Sequence, residues 1–285
     1  MTYEVHDSQS QEARGVTFLY NNLMGRLLLK LLIRTPMSKL MGAVMDSSAS
    51  RVLIKGFIRR NNINMGEYKD TRFLSFNNFF TREIKNGLRL YPDSLCDLAA
   101  PCDGRLSAFH ITGDSMFHIK NSVYDIAGLL QDELLAEEFV NGICLIFRLT
   151  PVDYHRYAFI DDGEILRHKQ IKGVLHTVRP ISLKRYNVYA QNSREYMLMQ
   201  TKNFGKMVQM EVGALFIGRI ANYALEGSVR RGQEKGMFEF GGSTVILLFQ
   251  QDAITIDKSI YDNTKNNYET IVKMGSRIGT KGLAR

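Results

Sequence analysis

The spacing of apolar residues changes once along this chain, and the change divides it. From Val16 to Ile33 it reads VTFLYNNLMGRLLLKLLI, with Asn22, Arg26, Lys30 and Arg34 recurring every fourth residue. On a helix these four make one polar stripe, with Phe18, Leu19, Leu23, Leu27 and Leu31 among the apolar residues around it. Residues 61–95 read as helix and loop, FNNFFTREIKNGLR (76–89) included. From about residue 98 the pattern becomes short apolar runs bounded by Gly, Asp, Asn and Pro: GRLSAFHI, GICLIFRLT, MVQMEVGALFIGRI and STVILLF. Their length and their β-branched and aromatic content predict strands. VYDIAGLLQDELLAEEF (123–139) is predicted as a helix between them, and the tail from about Asp257 is polar and loosely patterned. The expected architecture is α+β, with N-terminal amphipathic helices (1–60) followed by a mainly antiparallel β body (61–285).

Charge sharpens that division. Residues 14–60 hold nine Lys/Arg and one acid, Asp46, which together account for the whole formal net charge of +8. Arg26 and Lys30 interrupt any run of roughly 20 apolar residues able to span a bilayer. A helix lying in the interface fits better, with its bases near anionic headgroups at ~1 kcal/mol each. A core helix or a partner-binding helix is the plainer alternative. The Leu and Met between the bases argue against nucleic acid, and no nucleic-acid module stands elsewhere. The start of the chain lacks the basic and apolar pattern of a secretory signal. Cys96, Cys102 and Cys144 are odd in number and show no CxxC spacing, so reduced thiols and a cytosolic setting are expected.

Three places combine reactive side chains with turn-forming residues. In AAPCDGRL (99–106), Asp103 precedes Gly104, where a turn aspartate is the plain reading. RLTPVDYHRYAF (148–159) carries Asp153, His155 and Arg156 just after a strand. FEFGGSTVILLF (238–249) leads through two glycines into Ser243 and an apolar strand. Together they offer an acid, a base and a hydroxyl. A nucleophile elbow wants G-x-S-x-G, and here Val245 stands at the last glycine position. VGALFIGRI (212–220) lacks the Lys-Ser/Thr of a phosphate loop, and HExxH, GxGxxG and Ca²⁺-loop patterns are missing.

Read in order, FNNFFTR (76–82), PCDGR (101–105), LTPVDYHR (149–156), MEVGALFIGRI (210–220), RGQEKGMFEFGGSTVILLF (231–249) and MGSRIG (274–279) resemble the phosphatidylserine decarboxylases. The resemblance implies a proenzyme that cuts its own backbone between Gly242 and Ser243, giving chains 1–242 and 243–285. It implies that Ser243 becomes a pyruvoyl group, the covalent cofactor. Phosphatidylserine would bind there as a Schiff base, lose CO₂ and leave as phosphatidylethanolamine. By carry-over, Ser243 is nucleophile and cofactor precursor, Asp103 orients the base and His155 delivers the proton. No metal and no diffusible cofactor are implied. The partners expected are phosphatidylserine in an anionic membrane, the two cleavage products as one unit, and a second copy in a homodimer. The expected location is the cytoplasmic membrane face.

Two departures stand out. Many relatives carry a second histidine three positions after the first, linked to self-cleavage, where this chain has Ala158. His176 is the proposed substitute base. A family serine in the segment matching VGALFIGR (212–219) is replaced by Arg219. Two other functions remain open from the residues: an unprocessed lipid-binding homologue, and a membrane-associated serine hydrolase using Ser243, His155 and Asp103.

Overall fold

Continuous apolar runs become central strands here because the main sheet is covered on both faces. The computed structural model describes residues 3–7, 14–69, 71–119, 122–183, 186–215, 219–240 and 243–282. Among these, nine strands form one antiparallel sheet. Its order is Val5–Asp7, Tyr268–Val272, Gly104–His110, Ile143–Leu149, Ser243–Phe249, Lys206–Val212, Arg194–Thr201, Gly163–Ile171 and Gly227–Val229. Leu145, Phe147, Val245, Leu247, Met199 and Met207 point into one core. Two three-stranded sheets help to cover that face through Leu98, Tyr157, Phe238, Ile256 and Ile278. Cys144, Ile146, Ile246, Leu248, Val208 and Met210 point into a second core under short helices. Each fully buried Leu, Ile or Phe contributes about 1.5–3 kcal/mol. The serine strand holds the middle of the sheet. The three cysteines are free.

The N-terminal region is helical, as its pattern predicts, but the stretch from Val16 to Ile33 is two helices. These are α1 (Arg14–Asn21) and α2 (Leu23–Leu32), and the Asn22 side chain caps α2 by accepting from the Met24 amide. A Cβ at Gly25 would lie 2.0 Å from the Phe18 carbonyl oxygen, so only glycine permits this close turn. Then follow α3 (Thr35–Asp46), α4 (Val52–Arg60) and the short α5 (Phe76–Phe80), started by Ser75. Met45, Ile54, Phe73, Phe76, Phe79 and Phe80 tie α3, α4 and α5 into one small core.

One expectation is corrected. Residues 123–139 begin as strand (Ser122–Asp125) and then form two short helices, α6 (Ile126–Leu130) and α7 (Glu133–Glu137). Asp125 and Asp132 each cap a new helix, and Gln131 adopts a left-handed conformation between them, so the apolar periodicity continues while the backbone does not. The polar tail is ordered, with strands Ile254–Ile256, Tyr268–Val272 and Arg277–Lys281 around a helix, Lys258–Lys265. That helix buries only Ile260, which is why its sequence reads as loop.

Candidate active site

Ser243 opens the central strand, paired with Leu149 on one side, while Thr244 pairs with Val212 on the other. Its hydroxyl is buried and has no hydrogen-bond partner among the described residues. Gly241 and Gly242, the remaining residues of the expected cleavage site, lie outside the described residues.

Six residues after Leu149 the chain presents His155, and a built turn sets its place. The Asp153 carboxylate accepts from the Thr150 amide and hydroxyl, each at 2.7 Å, and from Arg105 at 2.8 Å. His155 is fully buried and packs on Phe80, with ring centroids 4.0 Å apart. Its Nδ1 lies 2.9 Å from the Asp153 carbonyl oxygen. A carbonyl can only accept, so Nδ1 carries the proton and Nε2 is the basic atom of the neutral ring. Phe80 also packs against Phe240, three residues before Ser243, which brings the histidine loop and the serine strand to one aromatic wall.

Asn77 fixes the approach to Ser243. Its Oδ1 accepts from the Phe240 amide at 3.0 Å, and its Nδ2 donates to Glu239 and to Asp46 of α3. Arg219 pairs with the same two carboxylates, at 2.9 Å from Glu239 and 3.5 Å from Asp46. The replacement at Arg219 thus falls in a clamp joining the helical region to the segment ahead of the serine.

Asp103 hydrogen-bonds to no histidine among the described residues. Arg89 grips its carboxylate with two 2.8 Å bonds, and Lys273 and the Met274 amide add bonds of 3.0 and 2.9 Å. Burial alone would raise its pKa, but the Arg89 bonds and the Lys273 charge hold it below the usual carboxylate range. Its hydrogen bonds run to these groups and not to an imidazole. Because residues 273–274 follow the expected cut, Asp103 would join the two products. Arg148–Glu269 and Asp97–Arg277 cross the same divide.

His176 makes no hydrogen bond to the serine strand among the described residues, though Asn192 Nδ2 bridges its carbonyl to that of Gly213, the residue after Val212. Its Nδ1 is 3.2 Å from the Tyr20 hydroxyl of α1, and its ring stacks on Tyr186. Burial lowers its pKa to about 4. Ala158 is buried in the short strand Arg156–Ala158, and its carbonyl accepts from Gln209 Nε2 at 3.2 Å.

Two features escaped the sequence reading. The Arg82 guanidinium lies 4.3 Å from the Tyr68 ring and 4.8 Å from that of Phe79, with no carboxylate partner among the described residues. Glu211 and Lys235 form an ion pair with no exposed side-chain surface, Asn222 lying beside both. Burial pushes the Glu211 carboxyl up and the Lys235 ammonium down. One signal was available: in MVQMEV the polar Gln209 and Glu211 share one parity of a strand that is otherwise apolar.

Comparison with known proteins adds a family. The family model described as phosphatidylserine decarboxylase matches residues 76–280. The chain is 44% identical over 277 residues to phosphatidylserine decarboxylase proenzyme 2 of Clostridium acetobutylicum, covering 97% of this chain and 95% of that one. It is 42% identical over 272 residues to the phosphatidylserine decarboxylase proenzyme of Ruminiclostridium cellulolyticum, covering 93% and 91%. For the proenzyme of Fusobacterium nucleatum the identity is 35% over 286 residues, covering 98% and 95%.

Proposed function

The chain belongs to the phosphatidylserine decarboxylase family of carboxy-lyases, and on that premise we propose that it matures by cutting itself between Gly242 and Ser243 and converts phosphatidylserine to phosphatidylethanolamine with a pyruvoyl group made from Ser243. One observation carries this reading: the Ser243 hydroxyl, at the head of the central strand, is buried with no hydrogen bond to hold it among the described residues. A buried hydroxyl left unsatisfied costs about 1–3 kcal/mol, and such cost is usual where a group reacts.

Self-cleavage needs only this chain's atoms. The Ser243 oxygen attacks the Gly242 carbonyl carbon, and the peptide C–N bond breaks to leave an ester and a free amine. Loss of the Ser243 α-proton then expels the Gly242 carboxylate. Water replaces the nitrogen, which leaves as ammonia. The residues fit the product: position 243 stays anchored by pairing to Leu149, and the aromatic wall of Phe80 and Phe240 limits access of water. When formed, the pyruvoyl group supplies a carbonyl electron sink that lets the substrate carboxylate depart as CO₂.

His155 would then hold and deliver the proton that replaces CO₂. Its Nδ1–H on the Asp153 carbonyl sets the tautomer, leaving Nε2 for transfer. Asp103 would act through structure, binding the 1–242 product to the 243–285 product. That role, and bonds that reach no imidazole among the described residues, speak against an Asp-His-Ser hydrolase.

The helical region suits a lipid surface. Leu23, Met24, Leu27, Leu28, Leu31, Leu40, Val52 and Leu53 are exposed among the bases of α1–α4. Among the described residues no helix is long and apolar enough to cross a membrane. A peripheral position on an anionic, cytoplasmic leaflet follows from apolar contact plus positive charge.

The test is denaturing intact-mass measurement of purified protein, followed by a phosphatidylserine-to-phosphatidylethanolamine assay. Two chains parting at Gly242/Ser243, the smaller blocked by pyruvoyl, are expected. A folded, full-length chain with no lipid conversion would overturn the reading.

A further inference from the structure

An unassisted serine hydroxyl is a weak nucleophile, so self-cleavage requires an acceptor for its proton. Asp103 is fully engaged with Arg89, Lys273 and the Met274 amide, and the Nδ1 of His176 faces the Tyr20 hydroxyl. Glu211 is placed differently. It lies on the strand beside the serine strand, where Glu211 pairs with Val245 and Val212 with Thr244. Side chains two apart share a sheet face, so Glu211, Val245 and Ser243 lie on one face. Glu211 is then the diagonal cross-strand neighbour of Ser243, at roughly 7–8 Å, within reach of a long side chain. The residue after Val212, next to Ser243, is Gly213, which puts no side chain between them.

The two groups are also chemically complementary. Glu211 Oε2 is held by Lys235 Nζ and by Asn222 Nδ2 at 3.3 Å. Glu211 Oε1 is buried without a hydrogen-bond partner among the described residues, as is Ser243 Oγ. An unmet acceptor and an unmet donor thus occupy the same face of adjacent strands. A turn of the glutamate side chain, or one bridging water, closes the gap.

We propose that Glu211 is the base that takes the Ser243 hydroxyl proton during self-cleavage, with Lys235 as its buried counter-charge. The assignment rests on the self-cleavage reading above. As Oγ bonds to the carbonyl carbon of residue 242, the proton moves to Glu211 Oε1. As the C–N bond breaks, the same proton passes to the departing Ser243 nitrogen. The carboxylate is restored and no outside reagent is consumed. Burial, which raises the Glu211 pKa, moves the group toward the range where proton transfer at neutral pH is efficient.

The experiment follows the fraction of cut chain over time, by intact mass, in full-length wild type, Glu211→Asp and the double variant Glu211→Gln/Lys235→Met. Glu211→Asp keeps the ion pair and withdraws the oxygen by one methylene. It should fold and cut at least tenfold more slowly. The double variant removes both charges at similar volume, so that no lone lysine is left buried. It should fold and cut at least 100-fold more slowly, the loss expected for a missing general base. Wild-type cutting rates in either folded variant overturn the role of Glu211 and leave self-cleavage intact. A wild-type chain that never cuts overturns the self-cleavage reading itself, and this assignment with it.

Discussion

Leu27 and Leu247 are the same residue in opposite situations: the first, on α2, is 52% exposed, and the second, on the central strand, is fully buried. The contrast holds for the regions they represent. The β body buries most of its leucines and isoleucines on the two faces of the sheet and nearly balances its charge, with 28 bases and 25 acids. The helices α1–α4 leave many of theirs outside, among nine bases and one acid. Apolar residues in the body hold the fold together. The exposed ones on the helices add little to the fold, and on the proposed membrane reading they meet lipid.

That difference can be broken by one exchange. Leu247→Ala should cost 2–5 kcal/mol, because it leaves a cavity between Leu145 and the residues of the small sheets. Leu27→Ala should change the melting temperature little, within ~0.5 kcal/mol, as exposed positions do. Binding to vesicles should reverse the order, weakened by Leu27→Ala and unaffected by Leu247→Ala while the protein is folded. Thermal melts and vesicle co-sedimentation measure the two properties. Equal stability losses would mean that α2 packs as a core helix.

The joint between the regions should be sensitive to acid. His176 receives the Tyr20 hydroxyl of α1, and burial lowers its pKa from 6.5 to about 4. A histidine kept neutral by burial binds its proton more readily in the unfolded chain. Its contribution is therefore complete above pH 6.5 and is lost as the pH falls from 6.5 toward 4. His176→Phe should melt lower than wild type at pH 7, having lost the Tyr20 contact, yet lose less on acidification to pH 4.5. Parallel pH profiles would remove His176 as the titrating group.

Much of this was legible in the sequence, and for physical reasons. Strands buried on both faces, such as Ser243–Phe249 and Ile143–Leu149, announce themselves as apolar runs. The helical region shows in its stripe and its charge. Strand Gly163–Ile171 did not, since GEILRHKQI lies near the sheet edge with most of its side chains partly or wholly exposed. The ordered tail was hidden likewise. Ser243 and His155 could be named from motif order, but the Asp103 network could not, because Arg89, Asp103 and Lys273 meet only once the tail strand pairs beside Gly104–His110. The Glu211–Lys235 pair needs two strands of different sheets to face each other, which no local pattern encodes.

The smallest expected effect tests whether position, rather than charge alone, makes the helical region a lipid surface. Lys30 and Arg34 are exposed on and just after α2, and no salt bridge holds either among the described residues. Each base near an anionic surface is worth ~1 kcal/mol, so Lys30→Gln/Arg34→Gln should weaken binding to anionic vesicles by roughly 30-fold. The melting temperature should stay where it is. Lys202→Gln/Lys206→Gln removes the same charge from the β body, where these lysines pair with Asp162 and Glu138. That variant should bind vesicles as wild type does and lose at most ~1 kcal/mol of stability per pair. Both differences should shrink as salt rises, because the Debye length falls to about 8 Å near 0.15 M. Equal weakening by the two pairs would mean that the membrane senses net charge alone, and the division between helices and body would then have no bearing on where the protein docks.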